Sequence, residues 1–288
     1  MKKNVQANKE VVATQINDEI FEKIVVIKGK KRGPTSIIIG GVHGNEKCGV
    51  NAILELLPNL KIDAGKLIIA FGNPRAIVQN VRSTDANLNR VFKPYKSMSK
   101  EEKSSYEYAR ATFLKKHLKK ADFLLDVHAS FSAKSRRFII CEDNASHITQ
   151  FLPFNLIVTG FDAIQPGGTD YYMNSIGKIG ICVECGCLGD PESDRIAKQA
   201  ILNFLKATKN IHGKVKVRKQ KKIRVYNMYM SKSEKFSLAK KFDDFEKVKK
   251  DQILGIDGVE EVRCGENAII IFAQDTTKIN DEVYLLAK

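Results

Sequence analysis

Apolar residues follow two rhythms along this chain. Short unbroken runs at residues 36–39, 66–71, 122–127, 137–141, 156–158 and 180–185 have the length and β-branched content of buried strands. A weaker alternation over 24–27 predicts an edge strand, with 29–34 as the turn that follows it. Between the runs, residues 48–57 and 194–205 carry apolar side chains three and four apart and predict amphipathic helices, the first closed by Pro58. Residues 99–120, rich in lysine and glutamate, predict a surface helix with Tyr106, Ala109, Phe113 and Leu114 on its apolar face. A short helix is expected over 144–151. Residues 75–94 and 160–170 are polar and punctuated and predict loops, and long loops inside compact domains are usually functional.

Strands alternating with helices over 20–210 predict an α/β fold, with a mixed, mostly parallel sheet covered by helices on both faces. The texture changes near His212 and Gly213. Alternation over 214–225 and apolar runs at 268–272 and 282–286 predict a small β-rich C-terminal domain. The expected division is therefore 1–210, α/β, and 211–288, β-rich. A chain of 288 residues is long enough to bury a core of that size.

Composition narrows the function classes. No run approaches the ~20 apolar residues a membrane helix needs, and the basic opening Met1-Lys2-Lys3 is followed by no apolar stretch, so a soluble, cytoplasmic protein is expected. Six cysteines in a chain this rich in core residues predict reduced thiols rather than a disulfide framework. Cys182, Cys185 and Cys187 have a metal-site look, but no second Cys or Cys-His pair lies near to complete it, and small residues packed on a buried strand account for them. The formal net charge of +15 suits anionic partners. The basic run 214–224 raises a nucleic-acid reading; it lacks any base-stacking pattern, and a solvated basic face explains it better.

Candidate chemistry sits where the buried runs end. The run over 36–39 breaks at Gly40-Gly41 and leads into His43-Gly44-Asn45-Glu46, with imidazole and carboxylate three residues apart. A second run ends on His128, and a third carries Glu184. Burying a carboxylate in an apolar strand costs several kcal/mol unless it is paired, and a cation is a good partner. Two histidines and a glutamate make a catalytic zinc set whose fourth position is left to water. Asp126, two residues before His128 and so on the same strand face, is placed to orient a ligand; an ordinary strand-end carboxylate is the competing account.

Taken in order, Gly41-x-His43-Gly44-Asn45-Glu46, Gly72-Asn73-Pro74, Arg82, Asn87-Leu88-Asn89-Arg90, Asp126-x-His128 and Glu184-x-Gly186 resemble the zinc carboxypeptidase superfamily, and within it the succinylglutamate desuccinylase and aspartoacylase branch. The matches span about residues 35–190. The resemblance implies one zinc ion per chain, held by His43, Glu46 and His128. It makes Arg82 the group that polarises the scissile carbonyl, Asn89 and Arg90 the grip on a substrate carboxylate, and Glu184 the general base and then acid. The chain departs from the family twice. The usual Asp-Leu-Asn-Arg begins with Asn87, a change expected to affect loop support more than catalysis. The arginine that helps aspartoacylases read a second carboxylate is Asn174, which argues against acetylaspartate and close dicarboxylates; Lys178 is the nearest substitute.

The expected function is that of a zinc-dependent amidohydrolase, a deacylase acting on an N-acyl amino acid or related small amide with a free carboxylate. A metallocarboxypeptidase acting on peptides or cell-wall stems is the neighbouring alternative, favoured by an open cleft. A basic nucleic-acid-binding protein stands third.

Overall fold

The computed structural model describes residues 19–131 and 135–288; the opening residues read above for a secretory signal lie outside it. The apolar runs are strands. Seven of them, β1 (Val25–Lys28), β2 (Lys31–Gly40), β3 (Ala64–Phe71), β4 (Phe123–Ser130), β5 (Phe138–Cys141), β6 (Leu156–Thr159) and β7 (Ile179–Cys187), lie in the order β1-β3-β2-β4-β7-β5-β6. β3, β2, β4 and β7 are parallel neighbours, whereas β1 and β5 run antiparallel to β3 and β7. Parallel neighbours need crossovers, and helices supply them. α1 (Lys47–Leu56) follows β2. Between β3 and β4 come α2 (Pro74–Gln79), α3 (Lys100–Ser104) and α4 (Tyr106–Leu118). Between β5 and β7 come α5 (Ser146–Thr149), α6 (Phe161–Ile164) and α7 (Thr169–Ser175), and α8 (Pro191–Ala207) follows β7.

Alternation along the central strands sorts their side chains into two layers. Ile38, Leu125, Val127, Ile181 and Val183 pack with residues of α1 and α8, while Ile37, Ile39 and Leu124 pack with residues of α4 and α7. Asp126 and His128 share the parity of Leu124, and Cys182 and Glu184 are their partners in the β4–β7 register. The period of two thus puts every costly side chain of these strands on one face, at the C-terminal edge where ligands of parallel sheets collect.

The C-terminal segment continues the same sheet. β8 (Lys221–Met230) pairs parallel with β6, and β14 (Glu282–Ala287), β13 (Ala268–Ile271) and β10 (Glu246–Val248) follow outward, giving eleven strands. β9 (Phe236–Leu238), β11 (Ile253–Asp257) and β12 (Glu260–Arg263) form a separate three-stranded sheet.

Local structure departs from the sequence reading in several places. β2 already starts at Lys31, so the turn expected over 29–34 is shorter; β8 starts at Lys221, later than the alternation from 214 suggested. Residues 160–170 are not all loop, since α6 and the start of α7 lie there. Nor are residues 75–94 irregular throughout: the Asn73 side chain accepts from the Ala76 N–H, Pro74 opens α2, and Asn80 closes it with φ 54°. The helix expected over 99–120 is two helices, because Ser105 is extended and its hydroxyl caps α4.

The buried face of α4 is Glu107, Arg110, Ala111, Leu114 and Leu118, while Ala109 is exposed. Apolar periodicity misjudged it because two of the inward side chains are charged. Each is matched. Arg110 donates to the carbonyls of Phe71 and Gly72 where β3 ends. Glu107 accepts from the Asn73 amide, the Thr84 hydroxyl and the N–H groups of Thr84, Asp85 and Ala86, pinning the segment that leads to Asn87. Burial disfavours the Glu107 carboxylate, but these donors more than offset it and hold its pKa below the ordinary value. Glu107→Ala should strand those buried donors and lower the urea unfolding free energy by roughly 3 kcal/mol. A loss below about 0.5 kcal/mol, the usual scatter of surface substitutions, would show that the segment is held by other means.

Candidate metal centre and its cavity

Two glycines set the path that brings His43 and Glu46 over the sheet edge. Gly41 has φ +72°, in the left-handed region that glycine enters at little cost. Gly44 passes so close to α2 that a Cβ there would lie 2.0 Å from the Ala76 carbonyl carbon. The chain then enters α1 at Glu46, whose carboxylate reaches back. Its Oε1 lies 2.7 Å from His43 Nδ1 and its Oε2 lies 2.8 Å from His128 Nδ1. His43, Glu46 and His128 are at most 4 % exposed, and their potential ligand atoms lie within 4.8 Å of one another. Among the described residues this is the one group of His, Cys, Asp and Glu side chains with that geometry.

The proton assignments favour a cation between them. Asn87 Oδ1 accepts from the Asn89 N–H and lies 3.0 Å from His43 Nε2, so Nε2 carries the hydrogen and donates to it. His43 Nδ1 is then a bare lone pair facing a carboxylate oxygen, an arrangement that a metal ion resolves. Burial likewise pushes the His43 pKa down, toward the neutral ligand form. His128 Nε2 lies 3.1 Å from Asp126 Oδ2, and that oxygen also accepts from the Thr169 hydroxyl. Burial opposes a charge on His128, yet Asp126 and then Cys182 and Glu46 raise its pKa well above the ordinary value. Burial also opposes ionisation of Glu46, but the two imidazoles hold its carboxyl well below the usual range. The donor set, one carboxylate and two imidazoles each backed by a side-chain oxygen, fits zinc.

These residues line a cavity of about 510 Å³, together with Arg82, Asn87, Asn89, Arg90 and Glu184. Burial, and then the nearby Glu46, push the Glu184 carboxyl up to about 8, and its Oε2 has no hydrogen-bond partner among the described residues. Burial and then Asp162 push Asp170 up to about 7. Raised pKa values mean that these groups bind protons more tightly in the folded chain than in the unfolded one. Their contribution is present below the ordinary carboxyl range and lost as pH rises through about 7 and 8. The raised His128 acts in the same direction. The melting temperature of chelator-treated protein should therefore fall between about pH 6 and pH 9 in calorimetry; a rise across that range would contradict these environments.

All seven candidate site residues named from the sequence meet at this cavity. Arg82 Nη1 donates to Glu46 Oε1 at 2.9 Å. Asn89 Oδ1 accepts from the Thr169 N–H. Arg90 holds a bidentate pair with Glu282 of β14, 2.7 Å at each end, and donates once more to the Asn89 carbonyl. Three of its five N–H donors are thereby used. Asn87 does more than support its loop, because its side chain stands behind His43.

Neither Asn174 nor Lys178 lines the cavity: the Asn174 amide donates to Asp162, and Lys178 pairs with Asp122. Cys182 and Cys185 are buried on β7, as expected of small residues on a buried strand. Sequence reasoning missed Asp162, Gln165, Asp170, Met228, Phe272 and Glu282, all on the cavity wall. The sole signal for any of them was the loop-like texture of 160–170.

Two histidines and a glutamate at the C-terminal edge of a mixed α/β sheet, faced by a second glutamate, are the arrangement of the zinc carboxypeptidase-like class. The profile of the succinylglutamate desuccinylase/aspartoacylase catalytic domain matches residues 32–211. Among curated proteins, the chain is 28 % identical over 189 residues to an N-acyl-aromatic-L-amino acid amidohydrolase (carboxylate-forming) of Xenopus tropicalis, covering 60 % of each. It is 28 % identical over 171 residues to a probable aspartoacylase of Trichodesmium erythraeum, covering 52 % of this chain and 54 % of that one. The chain thus spans only some 54 to 60 % of these relatives' lengths. A solved structure of succinylglutamate desuccinylase from Vibrio cholerae shares the fold, with a TM-score of 0.78 at 16 % identity over 92 % of this chain and 85 % of that one. The chain belongs to the succinylglutamate desuccinylase/aspartoacylase family.

Proposed function

We propose that the protein is a zinc-dependent hydrolase that cleaves the amide bond of an N-acyl amino acid or a similar small amide bearing a free carboxylate. One observation carries the reading: His43, Glu46 and His128 converge on the wall of a cavity that Glu184 also lines. Those three residues would hold one zinc ion per chain. When bound, zinc supplies Lewis acidity, activating water near neutral pH and polarising a carbonyl.

Glu184 takes a proton from the attacking water and returns one to the leaving nitrogen; it lies beside His128 in the β4–β7 register, on the wall of the same cavity. Arg82 donates to the carbonyl oxygen as negative charge develops there. Asn89 and Arg90 orient the substrate carboxylate, Arg90 through the N–H donors that Glu282 and Asn89 leave free. Asn87 fixes the His43 imidazole by a hydrogen bond, and the Asp126 carboxylate lies against His128 Nε2.

Met228, Phe272, Val283 and Tyr284 of the C-terminal segment wall the cavity, which supports a small substrate over a peptide or cell-wall stem. We assign 1–210 the catalytic role and 211–288 that of completing this wall. Six free thiols support a reducing, cytoplasmic location. No helix among the described residues is long and apolar enough to cross a membrane. The basic run 214–224 lies outside the cavity lining, so nucleic acid has no part in this reading.

The test is a hydrolysis screen of N-acyl amino acids and short peptides with and without a chelator. Chelator-sensitive release of a free amino acid from an N-acyl amino acid is expected. Turnover confined to peptides, or unaffected by the chelator, would overturn the reading.

A further inference from the structure

Charge is distributed unevenly around the cavity. Two of its cations already face carboxylates, Arg82 at Glu46 and Arg90 at Glu282. Asp162 and Asp170 also line it, and among the described residues neither forms an ion pair with a lysine, arginine or histidine. Asp162 accepts from the neutral Asn174 amide.

Asp170 is 8 % exposed. Burial and then Asp162 and Asp126 oppose its ionisation, and His128 favours it less strongly. A carboxylate this buried, on the wall of a ligand cavity and flanked by other acids, has no cation in direct contact among the described residues, which leaves that place to a ligand. Ile140, Phe161, Met228 and Phe272 line the same cavity and offer apolar surface to a methylene stem.

We propose that Asp170, supported by Asp162, forms an ammonium subsite, so that the preferred substrates are N-acyl amino acids whose side chain carries a primary amine. The subsite rests on the deacylase reading above and gives it a substrate class. A desolvated ammonium–carboxylate pair is a charge-assisted contact, and a neutral side chain of the same length would leave Asp170 as it is now. Asp170 and Asp162 act in recognition and take no part in bond cleavage.

The test compares N-acetyl-L-ornithine with N-acetyl-L-norvaline, which lacks only the terminal amine, on the zinc-loaded protein. The ratio of their kcat/KM values is expected to be at least about tenfold in favour of the amine and to fall by about tenfold in D170N, with a smaller fall in D162N. A ratio near one in the unmodified protein, or a ratio unchanged in both variants, overturns the proposal.

Calorimetric titration of the unmodified protein with L-ornithine and L-norvaline gives a second readout that needs no turnover. Ornithine should bind about tenfold more tightly, and equal affinities overturn the subsite. Should no N-acyl amino acid be hydrolysed at all, the deacylase reading falls, while this titration still decides whether an ammonium is recognised.

Discussion

Glu184→Gln should keep one zinc per chain and lose roughly 10³-fold in kcat, within the range contributed by a positioned acid–base group. The substitution preserves shape, and Glu184 lies on β7 opposite His128 without being one of the three converging ligand residues. The metal site should therefore stay formed. What is lost is a carboxyl that can accept and donate a proton near neutral pH. An amide has neither proton to exchange in that range nor charge. KM should change little, because Glu184 is not assigned to the substrate carboxylate. A variant with undiminished kcat would move the proton-transfer role to another group, and one that also lost its zinc would make Glu184 part of the metal site.

His43→Ala should reduce zinc in the purified protein to well below one equivalent, with activity falling in parallel. The substitution removes one of two imidazoles and leaves Glu46 buried with a single imidazole, His128, and Arg82 as its neighbours. It also leaves Asn87 Oδ1 without the donor it now has in His43. Metal analysis by mass spectrometry reads the outcome directly. Full zinc occupancy in this variant would place the ion on other ligands.

The site was legible because its chemistry conflicts with its setting. A histidine or glutamate inside or at the end of an apolar run stands out against the pattern, and His43, Glu46, His128 and Glu184 all announce themselves in that way. Their meeting point follows from strand parity and from the shared direction of β2, β4 and β7, both of which the apolar runs encode. The inner face of α4 was not legible, because Glu107 and Arg110 are buried by virtue of partners 21 to 89 residues away in sequence. Periodicity counts apolar residues and cannot see a charge whose donors lie in another segment. Glu282 was hidden for the same reason: its role depends on β14 reaching the cavity beside Arg90, 192 residues earlier. α2 did carry a readable signal inside the expected loop, since Asn73-Pro74 is a helix-start pair.

Anomalous scattering collected at the zinc edge from crystals of the purified protein tests the metal centre most directly. The account predicts one strong peak per chain, about 2.0 to 2.2 Å from His43 Nδ1, His128 Nδ1 and a Glu46 carboxylate oxygen. A zinc-replete crystal with no peak there, or with its peak at Cys182, Cys185 and Cys187, would contradict it.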